Sequence, residues 1–224
     1  MFSDLQLEHS STVDRAVEEI RRALFAGRLA PGTALREVAL SEAMGVGRST
    51  IREALTVLVG EGVAVRVPNK GVAVKELTAA DVHDVSLARA ALEAAGVRRW
   101  SEASDDDRHG VRAALEDYAR VARETSDPAV LTEAHLRIHR ALVGLTGSRR
   151  LVAAAEVLSA EIRLGLAHLD RIRANLSDQV AEHGRLVELV EGGDTPAALD
   201  ALREHLSVAE ASLMHATGHG TIEP

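Results

Sequence analysis

The apolar pattern of the first seventy-odd residues changes period once. Val13, Val17, Ile20 and Leu24 recur near i, i+4, i+7 and i+11, one face of an α-helix. Ser11 or Thr12 can cap its start, and Gly27, ahead of a Pro31-Gly32 turn, ends it. A second, short helix is expected from Leu35 to Met44, closed by Gly45. A third begins near Arg48, with Ile51, Leu55, Leu58 and Val59 on one face and Arg48, Arg52 and Thr56 on another. After Gly62 the period drops to two: Val63, Val65 and Val67 alternate with small or basic residues, Pro68-Asn69-Lys70-Gly71 makes a turn, and Val72 and Val74 alternate back. Three helices and a β-hairpin wing predict a winged helix-turn-helix.

From Thr78 onward no strand pattern appears. Helix punctuation recurs instead, at Thr78 with Asp81, Ser104 before three aspartates, Ser126-Asp127-Pro128, Gly147-Ser148, Ser177-Asp178 and Gly192-Gly193-Asp194-Thr195-Pro196. The expected fold is therefore mainly α: the winged domain over 1–77, then an all-α antiparallel bundle of six or seven helices over 78–224, with the junction at Lys75 to Ala80.

Composition narrows the function. Of 224 residues 46% are hydrophobic but only 2% aromatic, so Leu, Val, Ile and Ala must fill the core, which suits packed helices. With no cysteine, disulfides, a thiol nucleophile and thiolate metal ligands are excluded. No leader peptide and no apolar run long enough to span a bilayer is expected, so the protein is read as cytoplasmic, without a membrane partner. The net charge of -8 argues against nucleic acid only if spread evenly, and it is not. Residues 1–77 balance ten basic against ten acidic side chains, and between Gly47 and Lys75 five basic residues face only Glu53 and Glu61. That stretch is the candidate electrostatic footprint.

Arg48 and Arg52 lie four apart on the third helix, opposite its apolar stripe, and a guanidinium fork matches guanine O6 and N7 in the major groove. Ser49 and Thr50 can donate to phosphate or base, and Lys70 and Gly71 give the hairpin tip a basic, open approach to DNA. These residues also carry a resemblance. The run Ile20-Arg21-Arg22-Ala23-Leu24, Gly27-Arg28-Leu29-Ala30-Pro31-Gly32, Leu35-Arg36-Glu37 and Gly45-Val46-Gly47-Arg48-Ser49-Thr50-Ile51-Arg52-Glu53-Ala54-Leu55, extended by Glu61-Gly62 and Pro68-Asn69-Lys70-Gly71, resembles the GntR family of bacterial transcriptional regulators. The resemblance implies homodimers on palindromic operators, with Arg36, Arg48 and Arg52 among the DNA contacts. Gly47 stands where a Ser or Thr usually caps the recognition helix, and Val38 where many members have a DNA-contacting Arg.

Four of the ten histidines are placed tellingly. His135 and His139 are i, i+4 on one helix, a spacing at which two imidazoles share one metal ion. His183 and His205 flank the Gly192-Gly193-Asp194 turn at equal sequence distance, so in an antiparallel hairpin both sit about 16 Å from the turn. An all-imidazole site suits zinc, nickel or a similar borderline divalent ion. His139 through Gly147, Glu182-His183 and Gly193-Asp194 through His205-Leu206 resemble the FCD effector domain of the FadR branch, whose metal-binding members use an Asp and three His. Here His135 replaces the Asp. The resemblance further implies a small carboxylate effector at the metal, with Arg89, next to Glu93, and Arg163 as its candidate partners. The expected function is a ligand-responsive regulator, usually a repressor, and not an enzyme. A helical metalloenzyme is the rival, disfavoured because His135-Leu136-Arg137-Ile138-His139 lacks the Glu of H-E-x-x-H and no phosphate loop or nucleophile elbow is present. In a third reading, the histidine cluster of a regulator is only structural.

Overall fold

The computed structural model describes residues 11–167 and 176–218, which form two compact units that divide between Glu76 and Leu77. In the first unit α1 spans Thr12–Phe25, α2 Glu37–Met44 and α3 Arg48–Gly60, followed by an antiparallel hairpin of β1 (Ala64–Val67) and β2 (Gly71–Val74). Ser11 caps α1 in a reciprocal box with Asp14. Its buried face, Val17, Ile20 and Leu24, packs on Ile51, Leu55 and Leu58 of α3, each of the six at most 4% exposed. Each such side chain contributes roughly 1.5–3 kcal/mol. Gly45, in the left-handed conformation at φ 65°, ends α2 and sets up the tight turn into α3.

One boundary departs from expectation. The second helix starts at Glu37, not Leu35: Ala34 bridges Ala73, the buried Leu35 donates its N–H to the Val72 carbonyl at 2.8 Å, and the segment so joins the wing. At the wing tip Asn69 has φ 61° and Gly71 φ 92°, which lets the chain reverse within the expected turn.

The second unit holds six helices among the described residues: α4 (Ala79–Val97), α5 (Asp105–Glu124), α6 (Pro128–Gly144), α7 (Arg149–Leu166), α8 (Leu176–Glu191) and α9 (Thr195–Ala216). Most begin where the sequence punctuates: Thr78, Ser104, Asp127, Ser148 and Asp194 each accept a first-turn N–H. The expected Ser177 signal cannot be followed, because its side chain lies outside the described residues. Leu77 already belongs to this core, packed with Val82, Val85 and Leu136. At the crossing of α4 and α6 only a glycine fits, since a Cβ on Gly96 would lie 1.8 Å from the Leu142 carbonyl oxygen. That close approach brings the middle of α4 against the histidines of α6.

Candidate functional site

The helical unit gathers the four predicted histidines. His135 and His139 come from α6, His183 from α8 and His205 from α9, with one nitrogen of each lying within 4.8 Å of all the others. His139 Nε2 is 3.0 Å from His135 Nε2 and 3.1 Å from His183 Nε2. The outer nitrogens set the tautomers. His139 Nδ1–H donates to Glu93 Oε2 at 2.8 Å, and His183 Nδ1–H donates to the Gln179 carbonyl at 2.6 Å. Both Nε2 atoms therefore present bare lone pairs to each other, an arrangement that repels unless a cation lies between them. Tetrahedral zinc with nitrogen at ~2.0–2.1 Å would set neighbouring nitrogens roughly 3.3 Å apart, close to the two His139 separations and inside the 4.8 Å that spans the whole set.

Burial sets the protonation of the cluster. Desolvation holds His135 and His139 well below the usual imidazole range and takes His205 down to about 3, with neighbouring imidazoles and Arg89 acting in the same direction. Four neutral imidazoles at pH 7 are four competent ligands. Tyr118 closes one side, its ring centre 5.6 Å from that of His135, and burial pushes its phenol up to about 12.

Beneath the cluster α4 supplies a buried pair. Arg89 Nε donates to Glu93 Oε1 at 2.5 Å, and Glu93 is 1% exposed. Burial pushes the Glu93 carboxyl up and the Arg89 guanidinium opposes it. Among the described residues, the buried side-chain atoms without a partner are Arg89 Nη2 and His205 Nε2. Both residues line one cavity of about 280 Å³, with His135 and Gln179 and the apolar Ile162 and Leu206.

In the first unit Arg48 and Arg52 project from the outer face of α3, their side chains 62% and 60% exposed. Glu37 of α2 grips Arg52 with both oxygens, at 3.0 and 2.8 Å, and lies 3.9 Å from Arg48. Ser49 is exposed and Thr50 half-buried. Arg36 stands exposed at the start of α2, and Lys70 and Gly71 at the wing tip, where a Cβ on Gly71 would meet nothing within 4 Å.

Comparison with known proteins identifies both units. Residues 12–74 match the bacterial regulatory proteins of the gntR family, and residues 84–208 match the FCD domain. The chain belongs to the GntR family. An HTH-type transcriptional regulator in an unstable DNA locus of Streptomyces ambofaciens is 30% identical over 198 residues, 84% of this chain and 79% of that protein. A "Probable D-xylose utilization operon transcriptional repressor" of Paenarthrobacter nicotinovorans is 28% identical over 196 residues, 86% of this chain and 84% of that one. A GntR transcriptional regulator from Rhodococcus sp. RHA1 has a crystal structure that superposes with a TM-score of 0.79 at 26% identity, over 92% of this chain and 99% of that one. The family and these relatives are transcriptional regulators, which sets the metalloenzyme reading aside.

FCD domains bind metals, and the GntR-family chain here has four imidazoles that could hold one. Of its two candidate effector arginines, the structure brings Arg89 to the histidine cavity and leaves Arg163 elsewhere. Arg163 donates to Glu133 at 2.5 Å and lines a separate groove with Asp117 and Val130. Sequence reasoning missed Gln179 and Tyr118 beside the histidine cluster and Glu37 beside Arg48 and Arg52. A glutamate bound to an arginine 15 positions away leaves no local signature, whereas Gln179, one turn before His183, has a spacing that could have flagged it.

Proposed function

We propose that this protein is a repressor that binds a palindromic operator as a homodimer and releases it in response to a small carboxylate held at a divalent metal, zinc or nickel, on His135, His139, His183 and His205. The observation that carries this reading is the pair of buried, partnerless nitrogens, Arg89 Nη2 and His205 Nε2, at one cavity. An ion satisfies the imidazole, and a carboxylate satisfies the guanidinium and an open coordination position together. Two relatives named as operon repressors support the direction of regulation. One winged unit offers only a small interface, so specific binding needs two, and the division after Glu76 leaves the helical domain to hold the pair and sense the effector.

On DNA, Arg48 and Arg52 would read base edges while Ser49, Thr50, Lys70, Gly71 and Arg36 position the domain on the backbone and minor groove. Gly47 offers no side-chain cap, so the first N–H groups of α3 stay available to a phosphate. A gel shift with DNA flanking the protein's own gene tests the reading. Arg48→Ala and Arg52→Ala should each cost about 1–3 kcal/mol and relax base preference. Unchanged operator affinity in the double variant would sink the recognition-helix assignment.

A further inference from the structure

The cavity above the histidines is electrically lopsided. At its deep end lie Arg89, 8% exposed with Nη2 unpartnered, and the imidazoles that would carry a cation. Among the described residues, three carboxylates lie at its mouth: Asp178, exposed, Glu182, with a side chain 62% exposed, and Glu210, 29% exposed. Asp178 and Glu182 are four apart on α8 and so share a face; Glu210 comes from the neighbouring α9. Glu182 Oε2 is 3.8 Å from His205 Nδ1, so the acidic mouth reaches down to the cluster, and Glu210 Oε1 is 2.9 Å from His83 Nδ1. Between the two ends the wall is apolar, with Ile162, Leu166, Leu206 and Leu213.

A plain dicarboxylate fits this field badly. One end meets the guanidinium, but the other must lie against these three carboxylates, whose like charge repels it. We propose that the natural effector is dipolar: a carboxylate that enters first and pairs with Arg89, a short apolar segment against the leucines, and a cationic ammonium left at the mouth between Glu182 and Glu210. The inference rests on the effector reading above and names the chemical class that this cavity takes. The volume of about 280 Å³ suits a small molecule of that kind, at the low end of ligand pockets.

Pentanoate, 4-aminobutanoate and glutarate share one carbon frame and differ in the terminal group, so they isolate the charge at the mouth. Their dissociation constants, with those of homologues shorter and longer by one and two methylenes, are measured by calorimetry on the full-length protein carrying one equivalent of zinc. At the best chain length the aminocarboxylate should bind at least about tenfold tighter than the dicarboxylate. Glu182→Gln with Glu210→Gln keeps the polar mouth but removes two charges, and the preference should largely vanish. Asp178 is left unchanged because it also stabilises the start of α8. Arg89→Gln should weaken the carboxylates of every tail alike. If the dicarboxylate or the plain carboxylate binds as tightly as the aminocarboxylate, or if the double variant keeps the preference, the dipolar assignment is overturned while the effector site stands. If no carboxylate of any length binds the zinc-loaded protein, the effector reading fails, and this inference with it.

Discussion

Removing the ion from the histidine cluster should loosen the helical unit by an amount the structure allows to be worked out. The four imidazoles come from α6, α8 and α9, so one ion ties three helices, and the unfolded chain offers no comparable site. At a free zinc concentration 100 times the dissociation constant, the ion stabilises the folded state by about 2.7 kcal/mol. In a unit of about 150 residues each kcal/mol moves the melting temperature by roughly 2–4 °C, so chelation should lower it by about 5–11 °C. A second term adds to this: without the cation the lone pairs of His139 and His183, 3.1 Å apart, face each other, and relief requires giving up the hydrogen bond to Glu93 or to the Gln179 carbonyl. The assay is differential scanning calorimetry on protein whose zinc content has been measured, before and after chelation. The winged unit serves as an internal control wherever its transition is resolved. An unshifted melt in a sample that had contained one equivalent of zinc would refute the reasoning. So would a His183→Ala/His205→Ala variant that still binds one equivalent.

Gly96→Ala should cost about 3 kcal/mol or more and weaken zinc binding, because its Cβ collides with the α6 backbone and drives Glu93 away from His139; Gly110→Ala, where a Cβ meets nothing, should instead stabilise α5 by up to about 1 kcal/mol in chemical denaturation. Acid should weaken the metal-free protein in a defined window: His135, His139, His183 and His205 are held below their ordinary range in the fold, whereas the unfolded chain protonates them near 6.5. Stability should thus be full above that pH and fall as pH drops below it, by up to about 1.4 kcal/mol for each histidine that stays neutral in the fold between pH 7.5 and 5.5, as checked by denaturant titrations. Lys70→Ala at the wing tip should reduce the slope of log affinity against log salt by about 0.9 with little change in base preference, as read from gel shifts at several salt concentrations.

What the sequence made legible was whatever is decided within a few residues. Ser11 with Asp14 and Thr78 with Asp81 bond across three positions, so their helix starts are written locally. The start of α2 is not: Leu35 pairs with Val72, far along the chain, and that hydrogen bond overrides a helical pattern that is sound by itself. The histidines were readable for the local reason twice over, one pair by helical spacing and the other by equal distance from a turn. Arg163 was misplaced because the facing of a helix is decided by its neighbours. Ile162 lines the cavity, and the next residue points about 100° around the helix, toward Glu133. On α6, Glu133 is two positions from His135 and six from His139, about 160° and 120° around the helix, and so faces away from the histidine cluster. Arg163 and the cluster thus use different sides of α6.

Arg89 is where the two proposed ligands become one system. It spends Nε on Glu93, Glu93 spends its other oxygen on His139, and His139 keeps its Nε2 free only because Nδ1 carries the proton. A carboxylate arriving at Nη2 would draw on the same guanidinium and so weaken its hold on the Glu93 carboxylate. The proposed effector would thereby change the environment of His139 through two hydrogen bonds and no loop. Linkage then requires that the factor by which effector alters zinc affinity equal the factor by which zinc alters effector affinity. On the proposed reading the two ligands are therefore coupled, and α4, which carries Arg89 and Glu93 and is pinned to α6 at Gly96, is one element that a shift at either ligand would move.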